Sequence, residues 1–408
     1  MSAPIRITGV RTFLMQAEAP PVTAWFAGHG ASKTALSSSR NWLFVKVDTD
    51  CGITGVGEGS GWPRVVATAV EDLSRVIVGE NPFDIERLWQ KMYVAMMGHG
   101  QTGVVGGGAL SALDMALWDI KGKALGTPVW NLLGGLVRDR IPFYGHARND
   151  YDARALVAHG VRGVKVGGIA GVISRAQEVR AAIGNDVDLM IDLHGPPWLP
   201  ASDVIGLRSE LESLKLLFLE EPVAPEDIDG LRRVRRHLDV PLAAGERLAT
   251  LWGQNILLRE GLVDVLQPDP GRAGGITQLR KIAAAAEGAF VTLAPHAGSL
   301  GPVAECAAIH VLASIPNTLM IERMVPDWSG RVKAATPALE IDGGFVRVPT
   351  GPGLGIDIDE EFIALHPSRS NVGIAKGGWV PGTESETLYA QPQRGVHLRG
   401  SVGRETNG

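Results

Sequence analysis

Residues 188–220 read DLMIDLHGPPWLPASDVIGLRSELESLKLLFLE, a stretch that opens and closes with a short apolar run. Each run ends on a carboxylate, Asp192 in the first and Glu220 in the second. The segment between them is long enough for the helical crossover that parallel strands require. The stretch therefore predicts one unit of a sheet in which parallel strands alternate with helices.

Similar short apolar runs recur on both sides of this stretch, separated by segments of helical character. The predicted strands are Ile141–Tyr144, Gly163–Val166, Asp188–Asp192, Leu216–Leu219, Pro241–Ala244, Val263–Gln267, Phe290–Ala294 and Thr318–Ile321. Eight parallel strands linked by helices close into a barrel. The fold class that the pattern predicts is therefore α/β, with a TIM-type barrel.

A polar, mostly ionisable residue stands within two residues of the end of seven of these runs, at intervals of 23 to 28 residues. These residues are Lys165, Asp192, Glu220, Glu246, Asp269, His296 and Glu322. Taken singly, each is as compatible with a solvated turn or a buried core position as with a site. Because the carboxyl ends of barrel strands meet at one mouth, where active sites gather, the repetition favours a catalytic site.

Three of the seven residues are carboxylates on consecutive strands: Asp192, Glu220 and Glu246. Such a cluster repels itself without a cation, and hard oxygen ligands suit Mg²⁺. The next two residues around the barrel are Asp269 and His296. A carboxylate beside an imidazole fixes its tautomer and raises its basicity, so we interpret His296 as a general base and Asp269 as its partner.

Three further residues complete the predicted chemistry. Lys165 can bind a substrate carboxylate, and a protonated Glu322 can donate to an oxygen that gains charge as an enolate forms. His194 lies two residues after Asp192, so on a strand it points to the same side and can protonate a leaving hydroxyl. The alternative for His194 is an ordinary loop histidine.

The first third of the chain differs from the rest. Short strands near Ile5–Val10 and Leu43–Val47 precede an apolar helix face at Leu110, Leu113 and Leu117, which predicts a small α+β domain. Residues 20–40 carry Trp25 and His29 and are either a lid over the site or a surface loop.

We predict four segments along the chain. They are residues 1–127, the N-terminal part of an α+β capping domain; 128–335, the catalytic barrel; 336–365, a return to the capping domain; and 366–408, an extended tail rich in polar residues, glycine and proline.

Composition limits the function classes. The net charge of −5 argues against a nucleic-acid partner, and the two cysteines, Cys51 and Cys306, are spaced neither as a disulfide framework nor as a zinc site. We expect no membrane span and no leader sequence at the N-terminus, and therefore a cytoplasmic protein.

Several motifs, specific in combination, carry a family resemblance over residues 5–362. They are Trp118-Asp-Ile-Lys-Gly-Lys-Ala-Leu-Gly126, Leu132-Leu-Gly-Gly135, Glu220-Glu-Pro222, Ala243-Ala-Gly-Glu-Arg247, Gln267-Pro-Asp269, Gly274-Gly-Ile-Thr277 and Ala294-Pro-His296. At these residues the chain resembles the enolase superfamily, mandelate racemase subgroup, and most of all its sugar-acid dehydratases of the galactonate dehydratase type.

The resemblance implies a modified (β/α)7β barrel beneath a capping domain that both ends of the chain build. It implies Mg²⁺ as the cofactor, a small acid sugar as the substrate, and a homo-oligomer, an octamer or a tetramer. The metal ligands carry over to Asp192, Glu220 and Glu246, and the enolate-stabilising carboxyl to Glu322. The pattern Asp192-Leu-His-Gly195 is similar to the one in which the histidine serves as the general acid of a dehydratase.

One departure from the racemase-like members bears on the reaction. Those members carry Lys-x-Lys on the second strand, whereas this chain has Lys165-Val-Gly167. The departure favours dehydration of an aldonate or related acid to a 2-keto-3-deoxy acid. An epimerase, racemase or cycloisomerase acting through the same enediolate is the alternative, and a non-catalytic sugar-acid binding protein is a third. We expect Trp25, His29 and Trp62 to contact the substrate.

Overall fold

The computed structural model describes residues 5–17, 40–98, 103–195, 198–368 and 398–399. No helix within these ranges is long and apolar enough to cross a membrane.

The N-terminal part is an antiparallel sheet covered by helices. Its elements are β1 Ile7–Ala17, β2 Arg40–Thr49, β3 Thr54–Gly59, α1 Pro63–Ile77, α2 Ile85–Met97 and α3 Gly103–Ala124, followed by the short α4 Val129–Leu132. The strands pair in the order β1-β2-β3. Helix α3 lies directly on β3, since a Cβ on Gly57 would come within 1.9 Å of the Ala112 carbonyl oxygen. Only glycine permits this close approach.

Eight parallel strands follow and form the barrel. They are β4 Arg140–His146, β5 Gly163–Gly167, β6 Asp188–Asp192, β7 Phe218–Glu220, β8 Leu242–Ala244, β9 Val265–Leu266, β10 Thr292–Leu293 and β11 Ile321–Glu322. The strands pair in order from β4 to β10. The barrel closes where β11 pairs with β4 and where Leu293 bridges to Thr318. All eight predicted strands are therefore confirmed.

Helices link seven consecutive strand pairs. They are α5 Asp150–Ala158, α6 Val172–Ile183, α7 Ala201–Ile205, α8 Arg208–Ser213, α9 Ile228–His237, α10 Thr250–Arg259, α11 Gly275–Gly288 and α12 Pro302–Ser314. Helices α7 and α8 share one crossover, so eight strands have seven connections. This is the modified (β/α)7β barrel that the family resemblance implied.

A layer of apolar side chains fills the barrel below its mouth. Its buried members are Tyr144, Met190, Phe218, Ala243, Val265, Ala294 and Met320. Because side chains alternate along a strand, residues two positions after these point in the same direction, one layer higher. Strand-end residues that lie two positions after a member of this layer therefore point into the mouth of the barrel.

After β11 the chain returns towards its beginning. The elements are α13 Arg331–Ala334, β12 Ala335–Thr336, β13 Ile341–Asp342, β14 Phe345–Arg347, β15 Asp357–Ile358 and α14 Glu360–Ala364. Hairpin β13–β14 pairs with β4, helix α14 packs on β1, and Met15 bridges to Pro367. Both ends of the chain thus contribute to the capping domain, while the segment boundaries predicted above stay predictions.

Buried contacts also tie the capping domain to the barrel loop that follows β10. The Glu58 carboxylate on β3 accepts the N–H groups of Val303 and Ala304, at 3.1 and 2.9 Å, in the first turn of α12. The Trp42 indole on β2 donates to the Ser299 carbonyl at 3.2 Å. A carboxylate at a helix N-terminus is favourably placed, so the capping domain fixes this loop.

Candidate active site

The strand-end residues predicted from the sequence come together at the mouth of the barrel. Asp192 and Glu220 are partners in register on β6 and β7, and both are buried. Glu246 reaches the same mouth by a different route. Gly245 has φ +133°, a conformation that L-residues rarely adopt, and this turn directs the next side chain inward.

Lys165 lies among these carboxylates. The sequence analysis had expected it at their flank. Its Nζ is 2.8 Å from Glu220 Oε2, 3.2 Å from Asp192 Oδ2 and 2.7 Å from Glu322 Oε1. Burial opposes the charge on Lys165, but the carboxylates, Glu220 first, outweigh it and hold its pKa well above the ordinary value. Lys165 is therefore an ammonium group that partly neutralises the cluster.

The three proposed metal ligands do not converge in this arrangement. Within the described part of the chain, no three His, Cys, Asp or Glu side chains are grouped so that they could hold a metal ion. Asp192 and Glu220 instead pair with the Lys165 ammonium, and Glu246 pairs with Arg247 and Arg272.

The donor set nevertheless fits a hard divalent cation. Glu220 Oε1 is buried and has no hydrogen-bond partner among the described residues. Burial, and then the charge of Asp192, raise the pKa of Glu220 to about 8. A buried carboxylate oxygen without a hydrogen-bond partner is well suited to bind a cation. The single ammonium group of Lys165 does not compensate the negative charge of the whole cluster.

Glu246 is held by two arginines. Its Oε2 is 3.0 Å from Arg247 Nη1 and its Oε1 is 2.8 Å from Arg272 Nη1. Arg247 also pairs with Glu221. Burial acts against ionisation of Glu246, but His296 and the two arginines overcome it and lower its pKa. Glu246 is therefore a fixed carboxylate.

His296 and Asp269 form the predicted pair. His296 Nδ1 lies 2.8 Å from Asp269 Oδ2. Since a carboxylate only accepts, Nδ1 carries the proton, and Nε2 is left facing the mouth, 3.5 Å from Glu246 Oε1. Burial disfavours the charged imidazole, but Glu246, Glu322 and Asp269 outweigh it and raise the pKa of His296 to about 9. Cationic charge near Glu246 would reduce that effect.

Two residues that the sequence reasoning missed hold Asp269 in place. Ser60, at the end of β3 in the capping domain, donates to Asp269 Oδ1 at 3.1 Å. Arg272 Nε lies 3.2 Å from Asp269 Oδ2 and also donates to the Ser60 hydroxyl at 3.2 Å. Arg272 could have been suspected, because it stands three residues after Asp269. Ser60 has no such signal in the sequence.

His194 lies at the mouth beside Asp192, with its side chain partly exposed. His194 Nδ1 is 2.8 Å from Asp192 Oδ1. The charge of Asp192, against the opposing effect of burial, raises the pKa of His194 to about 9. A protonated imidazole at the mouth can give up a proton, as the sequence predicted for this residue.

Glu322 differs in state from the sequence-based hypothesis. Its Oε2 accepts the backbone N–H groups of Ala297 and Gly298 at 2.9 and 3.0 Å. Its Oε1 contacts Lys165 and lies 2.8 Å from His146 Nε2. Burial is outweighed by Lys165, His296 and His146, so the pKa of Glu322 is held well below its usual value. The low pKa favours an ionised acceptor, whereas the hypothesis requires a protonated donor, so that role of Glu322 stays a prediction.

His146 is the strand-end residue of β4, and the sequence analysis overlooked it because it precedes Lys165 by 19 residues, outside the interval of 23 to 28 residues that links the other site residues. It lies two residues after Tyr144, in the phase that carries the other site residues. Of the predicted substrate contacts, Trp25 and His29 fall outside the described residues. Trp62 lies beside Ser60 at the start of α1, half-exposed.

A capped barrel whose mouth combines acidic residues, a lysine and three histidines defines an enzyme class. The family of mandelate racemase / muconate lactonizing enzyme N-terminal domains matches residues 26–134, and the enolase C-terminal domain-like family matches residues 150–362. The chain belongs to the mandelate racemase / muconate lactonizing enzyme family of the enolase superfamily.

Curated relatives and solved structures agree with this assignment. The chain is 39% identical over 359 residues to D-galactonate dehydratase of Ralstonia pickettii (strain 12J), covering 81% of this chain and 93% of the relative. It is 37% identical over 349 residues to that of Klebsiella pneumoniae (strain 342), covering 79% and 90%. The 3,6-anhydro-D-galactonate cycloisomerase of Zobellia galactanivorans has a similar structure, with a TM-score of 0.79 and 29% identity over 89% of this chain and all of that one.

Proposed function

We propose that this protein is a magnesium-dependent sugar-acid dehydratase, a hydro-lyase that converts an aldonate or related acid into a 2-keto-3-deoxy acid. The observation that carries the proposal is the joint presence of the His296–Asp269 pair, at 2.8 Å, and of His194 against Asp192, at 2.8 Å. One imidazole can take a proton and the other can give one. The dehydratase relatives support the same reaction.

Proton removal falls to His296. Its Nε2 takes the proton from carbon 2 of the substrate, while Asp269 keeps Nδ1 protonated and stabilises the imidazolium that forms. The negative charge moves onto the substrate carboxylate, which becomes an enediolate. Lys165 donates to one oxygen of that carboxylate, and Glu322 holds the lysine in position.

Loss of the hydroxyl falls to His194. As the electron pair of the enediolate moves to form the carbon 2–carbon 3 double bond, the bond from carbon 3 to its hydroxyl breaks. His194 protonates the departing oxygen, so that water leaves. The resulting enol tautomerises to the 2-keto-3-deoxy acid. The protons balance, because His296 has gained the proton of carbon 2 and His194 has given one to the departing water.

Asp192, Glu220 and Glu246 would hold the Mg²⁺. The cation would supply positive charge that stabilises the enediolate, which donors alone do not achieve for so weak a carbon acid. Binding requires the Lys165 ammonium to leave the space between Asp192 and Glu220. The orphaned Glu220 Oε1 and the hard-oxygen donor set support this assignment.

A library of acid sugars incubated with Mg²⁺ tests the proposal, with 2-keto-3-deoxy products detected as semicarbazones. We expect product from one stereochemical group of acids and none from the His296→Asn variant. Deuterium exchange at carbon 2 in heavy water without any keto acid would contradict dehydration.

A cycloisomerase is the second candidate, and one observation favours it: the fold similarity to a 3,6-anhydro-D-galactonate cycloisomerase. In this chain a cycloisomerase acting through the same enediolate would again use His296 to remove the proton from carbon 2. Including an anhydro acid in the library of acid sugars separates the dehydratase from the cycloisomerase. Epimerisation and non-catalytic binding are further outcomes of the same screen. Cytoplasmic location and assembly into an octamer or tetramer stay predictions.

A further inference from the structure

His146 is a polar residue at the barrel mouth that the proposed mechanism leaves without a task. It ends strand β4, where it is the register partner of Lys165 on β5. Its Nε2 lies 2.8 Å from Glu322 Oε1. About a third of the side chain is exposed, at 33%, whereas Lys165 and Glu322 on either side are buried.

The orientation of the ring is fixed by close packing. A Cβ on Gly298 would lie 3.3 Å from His146 Nε2 and 3.2 Å from Glu322 Cδ. The Nε2 edge is therefore enclosed by Gly298 and Glu322, and Nε2 itself is buried. The exposed part of His146 must belong to the remainder of the ring. Because Tyr144, two residues earlier, points into the barrel interior, that remainder faces the mouth.

The other ring nitrogen of His146 has unused hydrogen-bonding capacity. Nε2 is engaged by Glu322, whose Oε1 lies 2.8 Å away. Nδ1, in contrast, makes no hydrogen bond to the described residues that would compete with a ligand.

We propose that His146 is a substrate-binding residue that selects polyhydroxy acids, contacting Glu322 through Nε2 and an oxygen of the substrate through the rest of its ring. The proposal rests on the proposed function of the site. An acid whose carboxylate is held by Lys165 places its neighbouring hydroxyls beside His146, since the two residues are register partners. Imidazole can donate or accept, and a sugar hydroxyl can do both, so the two are complementary.

An aromatic or aliphatic acid would leave this imidazole unpaired. A site that is built to hydrogen-bond a hydroxyl rejects analogues that lack it, because its own polar group then stays unsatisfied. His146 therefore contributes to the choice of substrate and to binding, while His296 and His194 move the protons.

The test measures binding without turnover. The His296→Asn variant, which retains the bound acid unchanged, is titrated calorimetrically with Mg²⁺ and each of a panel of acids, D-galactonate among them. The same titrations are made after His146→Phe, which keeps a ring of similar size. We expect the tightest polyhydroxy acid to bind at least about tenfold more weakly, and lactate, with its single hydroxyl, to change little. His237→Phe, an exposed histidine on α9, is the control.

A spectroscopic measurement distinguishes contact from a structural effect. In protein labelled with ¹⁵N-histidine, the resonances of His146, assigned through the His146→Gln variant, should shift when the acid is added. This measurement also serves if His146→Phe does not fold. Unchanged resonances and affinity would overturn the inference alone. Affinity that depends on His146, without turnover in the native protein, would overturn only the dehydratase proposal, and no binding by any acid would overturn both.

Discussion

Ser60 of the capping domain donates a hydrogen bond of 3.1 Å to Asp269 in the barrel, the residue that orients the proposed base His296. The contact joins two parts of the chain that lie 209 residues apart. It means that the catalytic pair is complete only when the capping domain is seated on the barrel.

Replacement of Ser60 by alanine tests this coupling. Asp269 Oδ1 would lose its donor, and Arg272 would lose one partner, so Asp269 would hold His296 less firmly. A hydrogen bond to a charged group contributes about 1.5–3 kcal/mol, so we expect turnover to fall about tenfold or more with a smaller change in KM. The measurement is the steady-state rate of keto-acid formation, together with deuterium exchange at carbon 2.

Ser74→Ala is the matched control, because Ser74 lies on α1 and donates only to the nearby Glu71 carbonyl. If both variants behaved alike, the Ser60 contact would have no part in positioning the base.

The strand-end residues could be predicted because a barrel repeats one unit, and the repeat is written in the sequence at intervals of 23 to 28 residues. The phase of each unit identified Asp192, Glu220 and His296 without any knowledge of the fold. It did not identify His146, which precedes Lys165 by 19 residues and ends a strand that was predicted two residues too short. Strand ends are the part of a strand that apolar patterning defines least.

Other parts of the site depend on tertiary packing and leave no local signal. Ser60 reaches Asp269 only because α3 and the cap sheet dock on the barrel. Lys165 was expected at the flank of the carboxylates, yet its long side chain reaches between Asp192 and Glu220, to which opposite charge attracts it. Glu322 was assigned a proton, but the cationic neighbours that lower its pKa, Lys165 first, come from other parts of the barrel.

The His194→Asn variant separates the two halves of the proposed reaction. Asparagine cannot protonate a leaving hydroxyl, whereas His296 is untouched. We expect dehydration to fall by about 10²–10⁴-fold, the usual contribution of a positioned acid, while exchange of the carbon 2 proton with solvent persists. Proton NMR in heavy water measures the exchange and semicarbazone formation measures the dehydration.

His237→Asn, on the exposed end of α9, controls for loss of an imidazole. Parallel loss of exchange and dehydration in His194→Asn would assign His194 to proton removal or to the structure of the mouth.

Glu220→Gln tests the metal assignment. The amide keeps the size of the side chain but removes one negative charge and one strong oxygen donor from the cluster. We expect the affinity for Mn²⁺, a spectroscopic substitute for Mg²⁺, to fall at least about tenfold, as measured by electron paramagnetic resonance. The fold should persist, because burial raises the pKa of Glu220 to about 8 and a neutral amide therefore resembles the protonated side chain of the metal-free protein.

Glu287→Gln, on the exposed end of α11, is the control for this substitution. Equal Mn²⁺ affinity in both variants would remove Glu220 from the set of metal ligands. Chelation of the metal by EDTA should abolish the activity of the native protein. In the Glu220→Gln variant, EDTA should leave the unfolding midpoint nearly unchanged.

Asp114 on α3 should make the stability of the protein depend on pH. Its Oδ2 accepts the Thr277 N–H of α11 at 2.9 Å, but Oδ1 is buried without a partner among the described residues. Burial raises the pKa of Asp114 to about 7. Because this value lies above the ordinary 3.8, the folded protein binds the proton more tightly than the unfolded chain. The resulting stabilisation is fully present below the ordinary pKa of 3.8 and is lost progressively as the pH rises from there to about 7.

The Asp114→Asn variant retains an acceptor for Thr277 but cannot ionise. Relative to the native protein it should gain stability between about pH 5 and 8, by roughly 2–4 kcal/mol at the upper end, as read from urea unfolding at several pH values. Asp239→Asn, at a highly exposed position next to α9, provides the comparison. A native protein whose urea midpoint ran parallel to that of Asp114→Asn across this range would contradict the prediction, because it would show that Asp114 binds no more protons in the folded protein than in the unfolded chain.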